Sequence, residues 1–185
     1  MKLNLGCGFN KLGGFINVDK FHACEPDLKV DLEIFPWPFD DSEADEVALI
    51  HSLEHLGQET RVFLRIMQEL YRVCKPNALI RIHVPHPRHD NFLGDPTHVR
   101  VITPPLLSLF SKKNNFHWKN IGASNSPLGI YLDVDFEVKN VTRVLEQKYL
   151  VMLQTKQITN EELTVLVNER NNIVTEYHIE LSVIK

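Results

Sequence analysis

The sequence predicts an α/β protein built around a parallel sheet. Its first half alternates short apolar runs with turn signals, and one strongly patterned helix lies among them. This alternation of strands and helices is typical of a parallel sheet. The chain has 185 residues, of which 43% are hydrophobic and 24% charged, as in an ordinary globular protein. We expect a single domain over residues 1–185, large enough to bury a core without metal or disulfide.

Five strands and a helix are expected in the first half. The predicted strands cover residues 3–5, 15–18, 28–30, 45–50 and 78–84. Residues 34–42 are expected to form a loop, because Pro36 and Pro38 cannot donate the hydrogen bonds of a central strand. Between the last two strands, apolar residues recur at three- and four-residue steps from Gln58 to Cys74. This spacing predicts an amphipathic helix that packs on the sheet.

The second half is less regular. Residues 85–105 are rich in His, Pro, Asp and Arg and lack periodicity, which predicts a long loop with one helical turn. A short helix is expected at 106–110. Runs with β-propensity follow at 130–150 and 174–184, and Thr159, three residues before Glu162, predicts a capped helix between them.

Charge and cysteine content exclude several classes of protein. The net charge is -4 and no stretch is a basic run, so we expect no general affinity for nucleic acid or for a membrane surface. No apolar run approaches the roughly 18 residues of a membrane span, and the N-terminus has no signal-peptide pattern. The three cysteines form no C-x-x-C pair, which favours a reducing environment. We therefore expect a cytoplasmic protein.

Ligand-type residues follow three consecutive strands. Gly6 and Gly8 come after the first strand, where an open parallel sheet has its ligand crevice, and glycine lets the backbone approach a ligand closely. Asp19 ends the second strand, where a carboxylate can accept both hydroxyl hydrogens of a ribose. Asp31 and Leu32 follow the third strand. The polar Asp31 suits the edge of an adenine, and the apolar Leu32 suits its face. The alternative is a plain tight turn and unrelated surface aspartates.

A dinucleotide site fits these residues poorly. The dinucleotide fingerprint is G-x-G-x-x-G with an acid about 20 residues further on. Here Lys11 stands where the third glycine belongs, and Asp19 follows too soon for a full helix to intervene. A pyrophosphate would have no helix N-terminus to bind. We therefore expect a smaller ligand without phosphates.

Together these motifs resemble the class I S-adenosylmethionine-dependent methyltransferases. The likeness is to a subgroup that opens with L-N-L-G-C-G, a short linker and G-F-I-N-V-D, which stand here at residues 3–8 and 14–19. It continues through I-H-S-L-E-H-L at 50–56, the helix that follows and the Lys75-Pro76 turn. The resemblance covers roughly the first half of the chain, and the combination is more specific than any single motif.

The resemblance implies a Rossmann-like, seven-stranded sheet, mostly parallel with an antiparallel last strand and with helices on both faces. It also implies S-adenosylmethionine as the cofactor, across the ends of the first four strands. The glycines would pass close to its methionine part, and His51 would line the methyl-transfer side. The implied cofactor-binding residues are Gly6, Cys7, Gly8, Asp19, Asp31, Leu32 and His51. One departure is Asn4, where many relatives have an acid, and another is the lack of a helix before the first strand. These departures leave a non-catalytic cofactor-binding or regulatory module as the alternative.

Histidines are concentrated in one part of the chain, with six of the nine between His51 and His98. Three interpretations stay open: a metal site, groups for acid–base catalysis, and loop side chains bonded to the backbone. The spacing disfavours metal, because no helix in the histidine-rich loop carries H-x-x-x-H. A neutral histidine can accept a proton from an attacking hydroxyl or amine. Our predicted catalytic residues are His86, Asp95 and His98, with no metal.

The predicted function is methyl transfer from S-adenosylmethionine to a small-molecule or glycan-precursor acceptor, by in-line displacement. The expected partner is that small molecule or sugar; a homodimer stays open. Arg88 and Arg100 are expected either to bind an anionic acceptor or to pair with Asp90 and Asp95. A metal-dependent hydrolase that uses the histidines is the weakest alternative.

Overall fold

The computed structural model describes residues 1–185. Seven strands form one sheet in the order β3-β2-β1-β4-β5-β7-β6. In chain order they are β1 (Lys2–Leu5), β2 (Ile16–Asp19), β3 (Leu28–Lys29), β4 (Ala44–Ile50), β5 (Cys74–Pro85), β6 (Phe136–Leu145) and β7 (Val174–Val183). The first five strands are parallel, and β7 runs antiparallel to both of its neighbours. The predicted sheet, mostly parallel with an antiparallel last strand, is confirmed.

Seven α-helices surround this sheet. They are α1 (Thr60–Val73), α2 (Asp90–Leu93), α3 (Pro104–Ser108), α4 (Lys112–Ile121), α5 (Leu128–Tyr131), α6 (Gln147–Gln154) and α7 (Asn160–Glu169). Two 3-10 turns, His22–Cys24 and Leu53–His55, follow β2 and β4. None of the helices combines the length and the apolar character that crossing a membrane requires.

The helix predicted with the strongest pattern is present, and its apolar stripe faces the core. α1 buries Phe63, Ile66, Met67, Leu70 and Val73 against the sheet. The strands β1, β4 and β5 form the other side of this core, and their apolar side chains are fully buried. Burial of such side chains contributes about 1.5–3 kcal/mol each, so this layer supplies most of the driving force for folding.

The predicted capping box is also present. The backbone N–H of Glu162 donates to the Thr159 hydroxyl at 3.1 Å, and the Thr159 N–H donates to the Glu162 carboxylate at 2.8 Å. Each bond satisfies a backbone donor that the first turn of a helix leaves unpaired. The capping pair therefore starts α7 where the sequence predicted a helix.

Four elements differ from the sequence prediction. β5 begins at Cys74 directly after α1, because Ala44 pairs with Cys74 and Glu46 with Leu79, so the intervening residues bulge out of the ladder. Pro76 lies in that bulge, where it interrupts no pairing with β4. The helices α4, α5 and α6 were not predicted. The apolar residues of α4 are few, and those of α6 lie in a run with β-propensity.

Candidate functional site

A pocket of about 410 Å³ lies at the carboxyl edge of the parallel strands. Its walls come from the ends of β1, β2, β3 and β4 and from the loop after β5. The lining residues are Gly6, Gly8, Asp19, Lys20, Phe21, Val30, Asp31, Leu32, His51, Ser52, His55, Leu56 and Thr97. Six of the seven predicted cofactor residues are among them, so the topology brings these strand ends to one place. The exception is Cys7, whose side chain is buried and does not line the pocket.

The glycine loop after β1 turns sharply where the end of β4 approaches it. Gly6 has φ +71°, and a Cβ there would lie 2.6 Å from the Ser52 Cβ. Gly8 also has positive φ, +49°, but a Cβ there would meet nothing within 4 Å. Gly6 is therefore required both by its backbone conformation and by the space available, and Gly8 by conformation alone.

The N–H groups of this loop are already bonded within the protein. Those of Gly6 and Cys7 both donate to the Val18 carbonyl, at 2.8 and 2.9 Å, and that of Gly8 donates to the Asp19 carboxylate. The loop is thus fastened to β2. A ligand would meet its Cα surface rather than free N–H donors.

Asp19 presents a held carboxylate to the pocket. Its Oδ2 accepts the Gly8 N–H at 2.9 Å and its Oδ1 accepts the Phe21 N–H at 2.9 Å. The residue is 8% exposed, and it lines the pocket. Because each carboxylate oxygen can accept more than one hydrogen bond, both have capacity left for hydroxyl groups of a ligand.

Asp31 and Leu32 form the next part of the wall. The Asp31 Oδ1 accepts the Glu33 N–H at 3.0 Å, and the Lys20 ammonium lies 3.9 Å from Oδ2. Leu32 is almost fully buried, and its carbonyl accepts the Trp37 indole N–H at 3.0 Å. Together they place one polar and one apolar surface side by side.

The loop that follows is tied to α1 by Glu69. The carboxylate accepts the Trp37 backbone N–H at 2.7 Å and two guanidinium N–H groups of Arg72 at 2.8 and 2.9 Å. Burial by itself would raise the pKa of Glu69, but these hydrogen bonds outweigh it and the pKa is lowered. The ionised carboxylate therefore anchors Trp37, which in turn holds the backbone of Leu32 at the pocket.

Asn4, the departure from the family pattern, also has a structural role. Its side-chain amide is buried and donates to the carbonyl of Asn10 and to the side chain of Asn17, both at 2.9 Å. Asn17 is fixed by Asp27, whose Oδ2 accepts its backbone and side-chain N–H groups at 2.8 Å. The backbone N–H of Asn17, followed by its side chain, lowers the pKa of Asp27. Asn4 therefore holds the loop between β1 and β2 in place.

His51 follows β4 in a left-handed conformation, φ +51°. Its backbone N–H donates to the His83 carbonyl at 2.9 Å, which keeps it in register with β5. The ring Nδ1 lies 3.5 Å from the Glu54 carboxylate and Nε2 lies 3.5 Å from Glu176. The contact with Glu54 is the main reason that the pKa of His51 is raised, against the opposing effect of burial. Its ring therefore lines the pocket while held between two carboxylates.

Two of the three predicted catalytic residues lie beside the pocket. Asp95 Oδ1 accepts the N–H of Thr97 at 2.8 Å and its hydroxyl at 2.6 Å. The Thr97 hydroxyl oxygen lies 2.9 Å from Nδ1 of His55, whose ring centroid is 4.7 Å from that of His98. Thr97 and His55 line the pocket, and Asp95 and His98 stand directly behind them.

His86 lies elsewhere. Its N–H donates to the Thr175 carbonyl at 2.8 Å and its ring packs 4.8 Å from that of Tyr177, next to β7. Burial, followed by the charge of Arg88, lowers the pKa of His86. It does not line the pocket, and nothing in the structure joins it to Asp95 or His98. Its catalytic role stays a prediction.

The two arginines hold loops. Arg88 donates to the carbonyls of Val167 and Asn168 in the last turn of α7 and to that of Arg170 just after it. Arg100 donates to the Gly57 carbonyl, and its guanidinium lies 4.4 Å from the centroid of the Phe63 ring. Neither pairs with Asp90 or Asp95 as the sequence suggested.

Seven residues of the pocket wall were not predicted as site residues: Lys20, Phe21, Val30, Ser52, His55, Leu56 and Thr97. His55 stands in the quoted L-E-H motif, so its position after β4 was the available signal. Thr97 carries no signal in the sequence, because its role depends on the return of the loop after β5 to the end of β4. That return is made by the Val99 and Arg100 N–H groups, which both donate to the Glu54 carbonyl.

Comparison with solved structures finds the same strand arrangement in known proteins. A SAM-dependent methyltransferase from Archaeoglobus fulgidus superposes with a TM-score of 0.63 at 20% identity, over 98% of this chain and 85% of that one. A SAM-dependent methyltransferase from Methanosarcina mazei gives 0.56 at 13% identity, over 99% and 92%. This chain has the class I methyltransferase fold.

A third methyltransferase-fold structure agrees with these two. It is a protein from Listeria monocytogenes described as a putative S-adenosylmethionine-dependent methyltransferase, with a TM-score of 0.55 at 12% identity, over 100% of this chain and 91% of that one. No protein-family model and no curated protein sequence matches the chain. The likeness therefore concerns the methyltransferase fold, and the function has to be argued from the site.

Proposed function

We propose that this protein transfers the methyl group of S-adenosylmethionine to a small-molecule or glycan-precursor acceptor. The observation that carries the proposal is the Asp19 carboxylate. It lies in a pocket at the strand ends, with one backbone N–H on each oxygen and with capacity to bind the two hydroxyls of a ribose. The methyltransferase fold places this pocket where open α/β sheets bind their ligands.

The rest of the wall fits the cofactor's other parts. Asp31 and Leu32 give the polar edge and the apolar face that an adenine needs, beside Asp19. Gly8 leaves open space for the methionine portion. A volume of about 410 Å³ suits a ligand of this size. These residues would hold the cofactor, which supplies an electrophilic methyl group on a sulfonium.

The histidine side of the pocket would orient the acceptor and take up its proton. Asp95 has a lowered pKa, mainly because of the hydrogen bond from the Thr97 hydroxyl, so it stays ionised at neutral pH. The Thr97 hydroxyl gives its hydrogen to Asp95 and must accept one from Nδ1 of His55. This order leaves Nε2 of His55 free to accept the acceptor's proton.

Hydroxyl-rich acceptors fit this wall best. His51, Ser52, His55 and Thr97 are all hydrogen-bonding residues. The net charge of -4 and the absence of a basic run give no electrostatic reason to expect a nucleic-acid acceptor. In the transfer, an acceptor oxygen or nitrogen bonds to the methyl carbon as the carbon–sulfur bond breaks, and S-adenosylhomocysteine leaves.

A matched pair of variants tests the cofactor site. Asp19→Asn keeps the size of the side chain but removes the charge and one acceptor oxygen, so we expect at least tenfold weaker binding of S-adenosylmethionine. Asp40→Asn changes an exposed aspartate outside the pocket and should bind as the wild type does. Thermal shift against S-adenosylmethionine, S-adenosylhomocysteine and NAD measures this, because a ligand of the native state raises its stability. Equal affinity in both variants would refute the ribose assignment.

A non-catalytic cofactor-binding module is the second candidate. It is favoured by Asn4, which stands where many relatives have an acid and whose side-chain amide is already bonded to Asn10 and Asn17. Transfer of labelled methyl groups to monosaccharides, sugar nucleotides and small hydroxy compounds separates the two. Turnover supports the enzyme, and tight binding without turnover across this panel supports the module.

A further inference from the structure

We propose that Glu54, His55 and His98 form a binding site for a divalent transition-metal ion. A carboxylate oxygen of Glu54 and one ring nitrogen of each histidine lie within 4.8 Å of one another. The first two residues stand on the 3-10 turn after β4, and His98 comes from the loop after β5. The observations behind this site do not depend on the proposed methyl transfer, but both use Nε2 of His55. A bound ion would occupy the lone pair that otherwise accepts the acceptor's proton.

The Glu54 carboxylate is the first reason. Glu54 is only 1% exposed, and neither of its side-chain oxygens has a hydrogen-bond partner. Nδ1 of His51 lies 3.5 Å from Glu54 Oε1, an ion-pair contact without a hydrogen bond. A buried carboxylate is normally paired with hydrogen-bond donors or coordinates a metal. An oxygen of Glu54 lies within 4.8 Å of a ring nitrogen of both His55 and His98, so a cation bound between them would give this carboxylate the partner it lacks.

The orientation of His55 is the second reason. Asp95 accepts the hydrogen of the Thr97 hydroxyl, so the Thr97 oxygen accepts the Nδ1 hydrogen of His55. In a neutral imidazole this fixes the tautomer and leaves the lone pair on Nε2. Metal-binding histidines are held in this way, with the other ring nitrogen donating to an oxygen in the outer shell.

His98 shows the same arrangement. Its Nδ1 lies 2.9 Å from the Phe92 carbonyl and can only donate to it. The ring stacks on Phe92 with centroids 5.2 Å apart, and its side chain is 8% exposed. Its Nε2 therefore also carries a lone pair, 3.9 Å from the Asp95 carboxylate. The cluster thus contains two histidines that are held through Nδ1, so that in the neutral ring Nε2 has the lone pair, and one carboxylate without a hydrogen bond.

The donor set indicates the class of ion. Two imidazoles and one carboxylate suit Zn²⁺ or Fe²⁺, while Mg²⁺ and Ca²⁺ prefer oxygen ligands throughout. The carboxylates of Glu54 and Asp95 give the cluster the negative charge that a divalent cation requires. Three protein ligands leave a further coordination position, and His55, which also lines the pocket, puts the ion at the pocket wall.

Titration of the chelator-treated full chain with Co²⁺ and with Zn²⁺ tests this site. Co²⁺ in a site of nitrogen and oxygen ligands has visible absorption, which reports ligation directly, and calorimetry with Zn²⁺ gives stoichiometry and affinity. We expect one ion per chain. Glu54→Gln, which keeps the shape of the side chain, and His98→Ala should each weaken binding at least tenfold.

Two control variants and one positioning variant complete the test. His178→Ala removes a histidine paired with Glu176 on β7, and His117→Ala removes an exposed one on α4; both should bind Zn²⁺ as the wild type does. Thr97→Val keeps all three ligands but removes the hydroxyl that holds Nδ1 of His55, leaving only the longer 3.3 Å contact with the backbone carbonyl of residue 97, and should weaken binding up to about tenfold.

Two results would overturn the site. One is absence of cobalt absorption and of zinc heat in folded wild-type protein. The other is wild-type affinity in Glu54→Gln, His98→Ala and Thr97→Val together. Circular dichroism identifies a variant that fails to fold, and the remaining variants then decide. Because the readout is metal binding without cofactor, failure of this site leaves the methyl-transfer proposal standing.

Discussion

The two sides of the pocket are built in different ways. On the cofactor side, backbone N–H groups position the polar side chains: Gly8 and Phe21 hold Asp19, and Glu33 holds Asp31. On the histidine side, Asp95 orients Thr97, which in turn orients His55.

This difference has a physical consequence. A group held by neighbouring backbone keeps its position as long as the strand and turn are formed. A group held through two other side chains depends on a loop that returns from elsewhere in the chain. We therefore expect substitutions on the cofactor side to change global stability, and substitutions on the histidine side to change local protonation and ligand binding.

The largest expected effect is on the glycine loop. Gly6→Ala should lower the free energy of unfolding by about 3 kcal/mol, because it combines a left-handed backbone with overpacking against Ser52. Gly8→Ala should cost only about 1 kcal/mol, since its Cβ meets open space. Urea unfolding of both variants gives the comparison.

Ser52→Gly supplies the control for this pair. Removing the Ser52 Cβ should recover part of the loss in Gly6→Ala and none of the loss in Gly8→Ala, as a double-mutant cycle would show. Equal costs at the two glycines would mean that the approach of Ser52 does not constrain the loop.

A smaller effect is expected where His83 on β5 stacks on His178 on β7. Their ring centroids are 3.6 Å apart and the rings nearly parallel. Burial, with a further contribution from the neighbouring His178, lowers the pKa of His83 to about 4. In the unfolded chain the His83 ring takes up a proton near pH 6.5, whereas in the folded protein it does so only near pH 4. The free energy of unfolding is therefore highest above pH 6.5 and falls as the pH is lowered from 6.5 towards 4.

Proton NMR titration of the histidine ring signals checks this shift. The His83 signal should have its midpoint near pH 4 in the wild type and a higher midpoint in His178→Ala, which removes the neighbouring imidazole. A wild-type midpoint at or above 6.5 would show that burial does not govern this ring.

The difference between groups held by neighbouring backbone and groups held through a distant loop also explains which parts of the molecule could be predicted from the sequence. The parallel strands, α1 and the capped α7 were predicted because their signals are local: apolar periodicity, turn residues and a capping pair. The cofactor-side residues Asp19 and Asp31 were predicted because they end strands, and parallel strands end at one edge. No local signal marks Thr97, or the approach of His98 to Glu54, because both depend on the path of the loop after β5.

Two of the helices that were not predicted, α4 and α6, were missed for related reasons. α4 is capped by Ser111, whose hydroxyl accepts the Asn114 N–H, and by Gly122, with φ +70°. These caps are present in the sequence, but the polar run between them gives no clear apolar stripe. α6 has the opposite problem, since its Tyr and Val residues also favour strands.

A crystal structure with S-adenosylhomocysteine would show whether Asp19 binds the ribose. We expect one molecule in the pocket at the strand ends, with both ribose hydroxyls hydrogen-bonded to Asp19 and the adenine beside Asp31 and Leu32. Its sulfur should point towards the wall formed by His51 and His55. A molecule bound elsewhere on the protein, or in this pocket with its ribose away from Asp19, would refute the proposed cofactor site.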